Sequence, residues 1–247
     1  MSLERWEKLR EDLSLLVSKE HTFGTDAFLL ARFAHAHPKD RAADFGTGCG
    51  IIPFLWHRDN VLPSYCYAVD IQKQAIEQCR RSVEESHLLG RIEPILSDIR
   101  CLASIEPGSL TLITCNPPYK QNGGGILSQT TSDKIARHET MCTLEDLCLS
   151  ASRLLQFGGR LCICQRPERL CDSICAMRLY GIEPKRLQFV HRDSHSAPWL
   201  FLLEGRKGGK PFLKTESPFL MYENGTPTSQ AQSLYRPWTQ TEGATCR

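Results

Sequence analysis

The sequence predicts an α/β fold in which a mostly parallel sheet carries helices on both faces. Three observations predict it. From residue 41 onward, short strand-like apolar runs alternate with stretches of helical period. One run ends in a glycine loop, Asp44-Phe45-Gly46-Thr47-Gly48-Cys49-Gly50. Another, Leu110-Thr111-Leu112-Ile113-Thr114-Cys115, ends in Asn116-Pro117-Pro118-Tyr119. Loops that end strands of one such sheet open on a common crevice.

Taken in order, residues 3–17 suit a short amphipathic helix, with Leu9, Leu13 and Leu16 at helical spacing. A helix over 27–33 follows Phe23-Gly24-Thr25-Asp26, with Thr25 or Asp26 available as its N-cap, and Pro38-Lys39-Asp40 breaks the run. Strands are expected at 41–45, 65–71, 92–96 and 110–115, and helices at 51–58 and 72–87. In the second of these helices Ala75, Ile76, Cys79 and Val83 share one side. From 120 to 142 the chain is polar, and Gly123-Gly124-Gly125 makes it the candidate mobile loop. Thr143-Leu144-Glu145-Asp146 reads as a capping box that opens a helix running to Phe157, where Gly158-Gly159 stops it. A strand at 160–164 and a helix from Pro167 to near Gly181 come next. Two strands at 187–190 and 199–203, antiparallel at a sheet edge, complete the alternation. Residues 1–40 are thus expected as a helical N-terminal segment and 41–213 as the α/β domain. Residues 214–247, rich in Pro, Thr and Ser, are expected as a loose tail.

At 247 residues the chain can bury a full core, and 41% hydrophobic with 23% charged residues is ordinary for a soluble protein. A net charge of +2 does not by itself imply a nucleic acid partner. Position is more telling, because residues 184–214 hold seven Lys or Arg against two acids, with His191 and His195 among them. That cluster would suit phosphates or a plain solvated face equally. Twelve cysteines invite a disulfide reading, but the charged N-terminus has no secretory pattern and most cysteines sit in apolar runs. The expectation is reduced thiols, a cytoplasmic protein and no membrane span. No C-x-x-C pair or histidine spacing suggests a metal.

The glycine loop lets the backbone approach a ligand closely, since glycine lacks Cβ. Its spacing, Gly46-x-Gly48-x-Gly50, is not the G-x-G-x-x-G of a pyrophosphate cradle. The acid before it, Asp44, suits a cofactor end bearing positive charge, such as the ammonium of S-adenosylmethionine. Asp70 ends the next strand, where a ribose-hydroxyl acceptor is expected. Asp98 ends a third and could accept from an adenine amine. Each acid alone would pass for a helix cap; three of them ending successive strands would not.

Asn116-Pro117-Pro118-Tyr119 supplies the other half of a reaction. An aromatic amine is a poor nucleophile because its lone pair is conjugated with the ring. Two acceptors aimed at its N–H bonds, Asn116 Oδ1 and the Pro117 carbonyl, would favour a pyramidal nitrogen with its lone pair free. The prolines stiffen that backbone, and Tyr119 can stack on the ring for about 1–3 kcal/mol. Alignment, worth up to ~7–11 kcal/mol, should dominate such a transfer.

These residues resemble the class I S-adenosylmethionine-dependent methyltransferases with an N-P-P-Y motif. More narrowly, 23–30, 136–146 and 181–186 look like the bacterial tRNA(Val) adenine-N6 methyltransferases, and the likeness spans roughly 20–222. The resemblance implies a Rossmann-like, seven-stranded sheet. It implies that Gly24, Thr25, Asp26, Asp44, Gly46, Gly48, Gly50, Asp70 and Asp98 bind the cofactor, with residues 1–40 lying over that site. Asn116, Pro117 and Tyr119 would be catalytic. The implied partner is tRNA and the implied target the adenine just 3′ of the anticodon, in a loop where a base is splayed out cheaply. Arg137 and His138 would contact RNA phosphate or shape the mouth of the site, with Glu139 orienting them, or the three would form an ordinary loop salt bridge ahead of a helix. Methylation of a guanine N2 in rRNA or of a protein glutamine fits the same acceptor pair, and a non-catalytic RNA-binding module could share the scaffold.

Overall fold

In a computed structural model the structure describes residues 4–117 and 142–236. Tyr119, the Gly-rich loop and Arg137-His138-Glu139 lie outside the described residues. The N-terminal segment is not a helix. It is an antiparallel hairpin, β1 (Arg5–Arg10) and β2 (Leu13–Val17), with Trp6 opposite Leu16 and Lys8 opposite Ser14. Leu9, Leu13 and Leu16 obey a helical period, but Leu13, Leu15 and Val17 also obey a strand period, and those three enter one core cluster. Ser82 Oγ then accepts from Leu16 N at 2.9 Å and ties the hairpin to the body.

Helix α1 (Thr25–Phe33) starts at Gly24, so neither Thr25 nor Asp26 is its N-cap. Strand β3 (Arg41–Phe45), α2 (Ile51–Arg58), β4 (Tyr65–Asp70), α3 (Lys73–Glu85), β5 (Ile92–Leu96) and β6 (Leu110–Cys115) follow as expected. The capping box is present: Thr143 Oγ1 accepts from Asp146 N and Asp146 Oδ2 from Thr143 N. Its helix, α4 (Leu144–Leu154), ends earlier than expected, because β7 (Leu155–Gln165) begins at once. Leu155 pairs with Leu110, and a Cβ on Gly159 would stand 3.0 Å from Leu110 O, so Gly159 serves a close approach inside the strand while Gly158 supplies a φ of +78°. Helix α5 (Leu170–Leu179) is preceded by a 3-10 turn at Pro167–Arg169. Strands β8 (Ile182–His191) and β9 (Pro198–Lys207) are antiparallel as expected, though each is longer than expected, at 10 residues.

The segment expected as a loose tail is folded as far as Arg236. Its two-residue strands β10 (Lys214–Thr215) and β11 (Phe219–Leu220) pair with β8, and β12 (Tyr222–Glu223) pairs with β13 (Thr226–Pro227). A six-residue helix, α6 (Ser229–Leu234), buries Ala231 and Leu234 in the core. Each piece is too short to carry a periodic signal, and they fold because they dock.

The sheet runs β10-β8-β9-β7-β6-β3-β4-β5, with β11 also on β8. Its seven long strands are the expected seven, and the tail adds two. Alternate residues feed two core clusters: Ala42, Ala68 and Leu112 face α1, α2, α3 and the hairpin, while Ala43, Val69 and Ile113 face α4 and α5. After β3 the chain builds outward to β4 and β5, then returns to place β6 on its other side. The order reverses between β3 and β6, and that is where a crevice opens.

Candidate active site

Both strands at the reversal point end in a candidate loop. Phe45 pairs with Cys115, so the glycine loop and Asn116 leave the sheet side by side. A cavity there is lined by Phe23, Gly24, Asp26, Asp44, Gly46, Gly48 and Asn116, among others. From the leading segment the cavity takes Thr22, Phe23, Gly24, Asp26 and Ala27, which belong to the start of α1 and the stretch before it, and no residue of the hairpin.

Gly50 has φ +95°, and a Cβ on it would come within 2.6 Å of Cys79 Sγ, so no other residue lets the loop turn into α2 so tightly. Gly46 and Gly48 have positive φ with open space where a Cβ would be. Asp70 secures the loop: its Oδ2 accepts from Gly48 N at 2.8 Å and its Oδ1 from Gln72 N at 2.9 Å. Asp44 lies beneath, with Oδ1 accepting from Thr114 Oγ1 at 2.7 Å. Its Oδ2 and the neighbouring Thr47 Oγ1 are buried without partners. Burial pushes the Asp44 carboxyl up to about 7, against the opposing pull of the Thr114 and Thr47 hydroxyls. An unpaired acceptor beside an unpaired hydroxyl on a cavity floor fits a ligand that brings a cation.

Asn116 is held from two sides. Its Nδ2 donates to Asp26 Oδ2 at 3.0 Å, and its Oδ1 accepts from Cys164 Sγ at 3.1 Å. Pro117 follows, half-buried, and is not among the cavity-lining residues. Nor are Thr25, Gly50, Asp70 and Asp98. Thr25 Oγ1 instead meets Tyr235 OH at 2.9 Å. Asp98 caps the 3-10 turn Ile99–Cys101 and turns both oxygens to the Arg100 guanidinium. That hydrogen bonding holds its carboxyl below the usual range. Sequence reasoning missed Thr114 and Cys164, which reach the site from β6 and β7. Only the pairing order of the strands makes them neighbours of Asp44 and Asn116.

The basic cluster of 184–214 is divided by the sheet. Phe201 pairs with Gln165 and His191 with Pro198, so the exposed Arg192 and His195 lie in a loop at the same end as Asn116. Lys185 and Arg186 lie toward the opposite end and are already engaged. Lys185 Nζ donates to Lys210 O and Pro211 O, while Arg186 pairs with Glu204 and Glu216, each at 2.8 Å.

Residues 17–178 match the family model described as the methyltransferase small domain. The chain is 32% identical over 181 residues to the tRNA1(Val) (adenine(37)-N6)-methyltransferase of Phocaeicola vulgatus, covering 73% of this chain and 74% of that one. It is 31% identical to the enzyme of the same name from Tolumonas auensis, with the same coverage of each. Among solved structures, a predicted O-methyltransferase from Agrobacterium tumefaciens superposes with a TM-score of 0.66 at 21% identity, over 87% of this chain and 98% of that one. The tRNA m1G37 methyltransferase of M. jannaschii gives 0.56 at 17%, over 85% and 56%. At such identities these two speak for the class I methyltransferase fold alone. With the fold, the crevice and the relatives in agreement, the chain belongs to the methyltransferase small-domain family and, within it, to the group of the tRNA1(Val) (adenine(37)-N6)-methyltransferases.

Proposed function

We propose that this chain methylates the exocyclic N6 of the adenine just 3′ of the anticodon in a valine tRNA, using S-adenosylmethionine. One observation carries the chemistry: the Asn116 amide lines the same cavity as the glycine loop. The substrate class is that named for the relatives at 31–32% identity, and it implies action in the cytoplasm.

In this reading Gly46, Gly48 and Gly50 admit the cofactor, and the unpaired Asp44 Oδ2 takes its positive end. Gly24, Thr25 and Asp26 close over it, Asp70 meets the ribose while steadying the loop, and Asp98 shares its carboxylate between Arg100 and the adenine amine. When bound, the cofactor supplies an electrophilic sulfonium methyl and a neutral thioether leaving group. Asn116 Oδ1 and the Pro117 carbonyl accept the two target N–H bonds and aim the nitrogen lone pair across the cavity. Transfer would leave the nitrogen with one proton to lose to solvent, while Asn116 Oδ1 and the Pro117 carbonyl would hold the amine in place. Tyr119 is the proposed platform for the base.

Incubating the protein with labelled cofactor and unmodified tRNA, then mapping the label by nuclease digestion, tests the reading. Label is expected on adenine N6 beside the anticodon. Label on guanine or on a protein glutamine would overturn the adenine assignment, and no label at all would favour a non-catalytic module. Asn116→Ala is expected to cut turnover about 100-fold or more while cofactor affinity changes little.

A further inference from the structure

We infer that Asp26 and Cys164 are positioning residues for Asn116, fixing which end of its amide faces the target nitrogen. The inference rests on the methyl-transfer reading above. An asparagine amide has nearly the same shape after a half-turn about its last bond, but the half-turn exchanges an acceptor for a donor. Here the two orientations differ sharply in their partners. With Nδ2 on the Asp26 carboxylate and Oδ1 on the Cys164 thiol, both ends are satisfied. After the half-turn, Oδ1 would confront a carboxylate that can only accept. The NH2 would then meet the target amine, whose N–H bonds also need acceptors. Two repulsive contacts therefore oppose the unproductive orientation.

The Cys164 thiol donates to the Oδ1 end of the amide. A carboxylate drawing on Nδ2 also shifts electron density toward Oδ1 and strengthens it as an acceptor. Asp26 is itself fixed, because its Oδ1 accepts from Ala27 N at 3.0 Å in the first turn of α1. Gly24 makes room for this, since a Cβ there would stand 2.7 Å from Asp26 Oδ1. The atom it would meet is the tip of a side chain, so Gly24→Ala can displace the carboxylate without unfolding the chain.

Four variants of the full chain test the inference: Asp26→Ala, Gly24→Ala, Cys164→Ala and Cys164→Ser. Turnover is measured at saturating cofactor, so that any loss of cofactor affinity is separated from loss of kcat. Asp26→Ala and Gly24→Ala are expected to lower kcat about 10- to 100-fold, the scale of a misaligned reacting group. Cys164→Ala should lose about threefold and Cys164→Ser recover most of it, since a hydroxyl restores the donor. The Asn116 side-chain amide, identified in 15N NMR by its absence in Asn116→Asp, gives a second readout that needs no substrate. One of its two protons is expected downfield, and that displacement should vanish in Asp26→Ala and Gly24→Ala. Losses of activity that disappear at saturating cofactor, or an amide signal unmoved by Asp26→Ala, would overturn the inference. A wild-type chain that labels no tRNA adenine would defeat the function proposed above, and the amide signal would still decide the role of Asp26.

Discussion

Asp44 places one carboxylate oxygen on Thr114 and leaves the other bare at the cavity floor, and this asymmetry has a consequence in pH. The shift is upward, to about 7, so the folded chain favours the protonated acid. The group's contribution to the stability of the cofactor-free protein is therefore present at low pH and lost as pH rises through about 7. A bound cation reverses the preference. Cofactor binding should release a proton, and affinity should weaken up to about tenfold for each pH unit below that value. Calorimetry at about pH 6 in two buffers of different ionisation heat measures the release. Asp44→Asn should abolish it, and a wild-type protein releasing no proton would remove Asp44 from the cofactor's positive end. At this scale the sequence was legible where chemistry is written locally: the glycine loop and Asn116 each stand at the end of a recognisable strand. Thr114 and Cys164 were not, because their roles depend on which strands become neighbours.

The C-terminal helix α6 is the element that departs most from a reading by periodicity, and it lies against α1. Tyr235 bonds Thr25 and packs its ring 5.1 Å from that of Phe28, Ser233 Oγ accepts from Arg32 at 2.6 Å, and Leu234 O accepts from Arg58 at 3.1 Å. Removing residues 228–247 should therefore loosen the start of α1. Backbone amide exchange over 25–33 is expected to accelerate while 110–115 stays protected, and cofactor binding should weaken about tenfold. Unchanged exchange at α1 would mean that α6 merely rests there. Other misses at this scale share a cause. Residues 9–17 satisfy two periods at once, and packing against α2 and α3 selects the hairpin. The helix α4 stops at Leu154 because a strand partner claims Leu155, which no local pattern announces.

Across the whole molecule, the sheet sorts charge that the sequence presents as one cluster. Arg186 serves the buried Glu204, with Glu216 and the Phe33 ring completing its surroundings. Arg186→Ala should cost about 2–3 kcal/mol in urea denaturation, somewhat less than a fully buried pair because Arg160 remains near Glu204. Of that cluster, Arg192 and His195 stand at the Asn116 end, where the proposed function places the RNA. Arg192→Ala should lower the salt slope of tRNA binding by about 1, whereas Lys185→Ala should leave it unaltered. Equal slopes for wild type and Arg192→Ala would move the RNA contact elsewhere. The alternation of strands and helices made the architecture legible, but not the reversal of order that puts β6 beside β3.

Strand β9 arrives last of the long strands, yet it lies between β7 and β8. During synthesis, β8 emerges before the strand that must join it to the sheet. Until residues 198–207 are available, one flank of β7 is a bare row of amide and carbonyl groups, the kind of template on which a second nascent chain can pair. A pause in translation between 191 and 207 would prolong that exposure. Production of this protein is therefore expected to depend on elongation rate and holding chaperones more strongly than the stability of its finished fold would suggest.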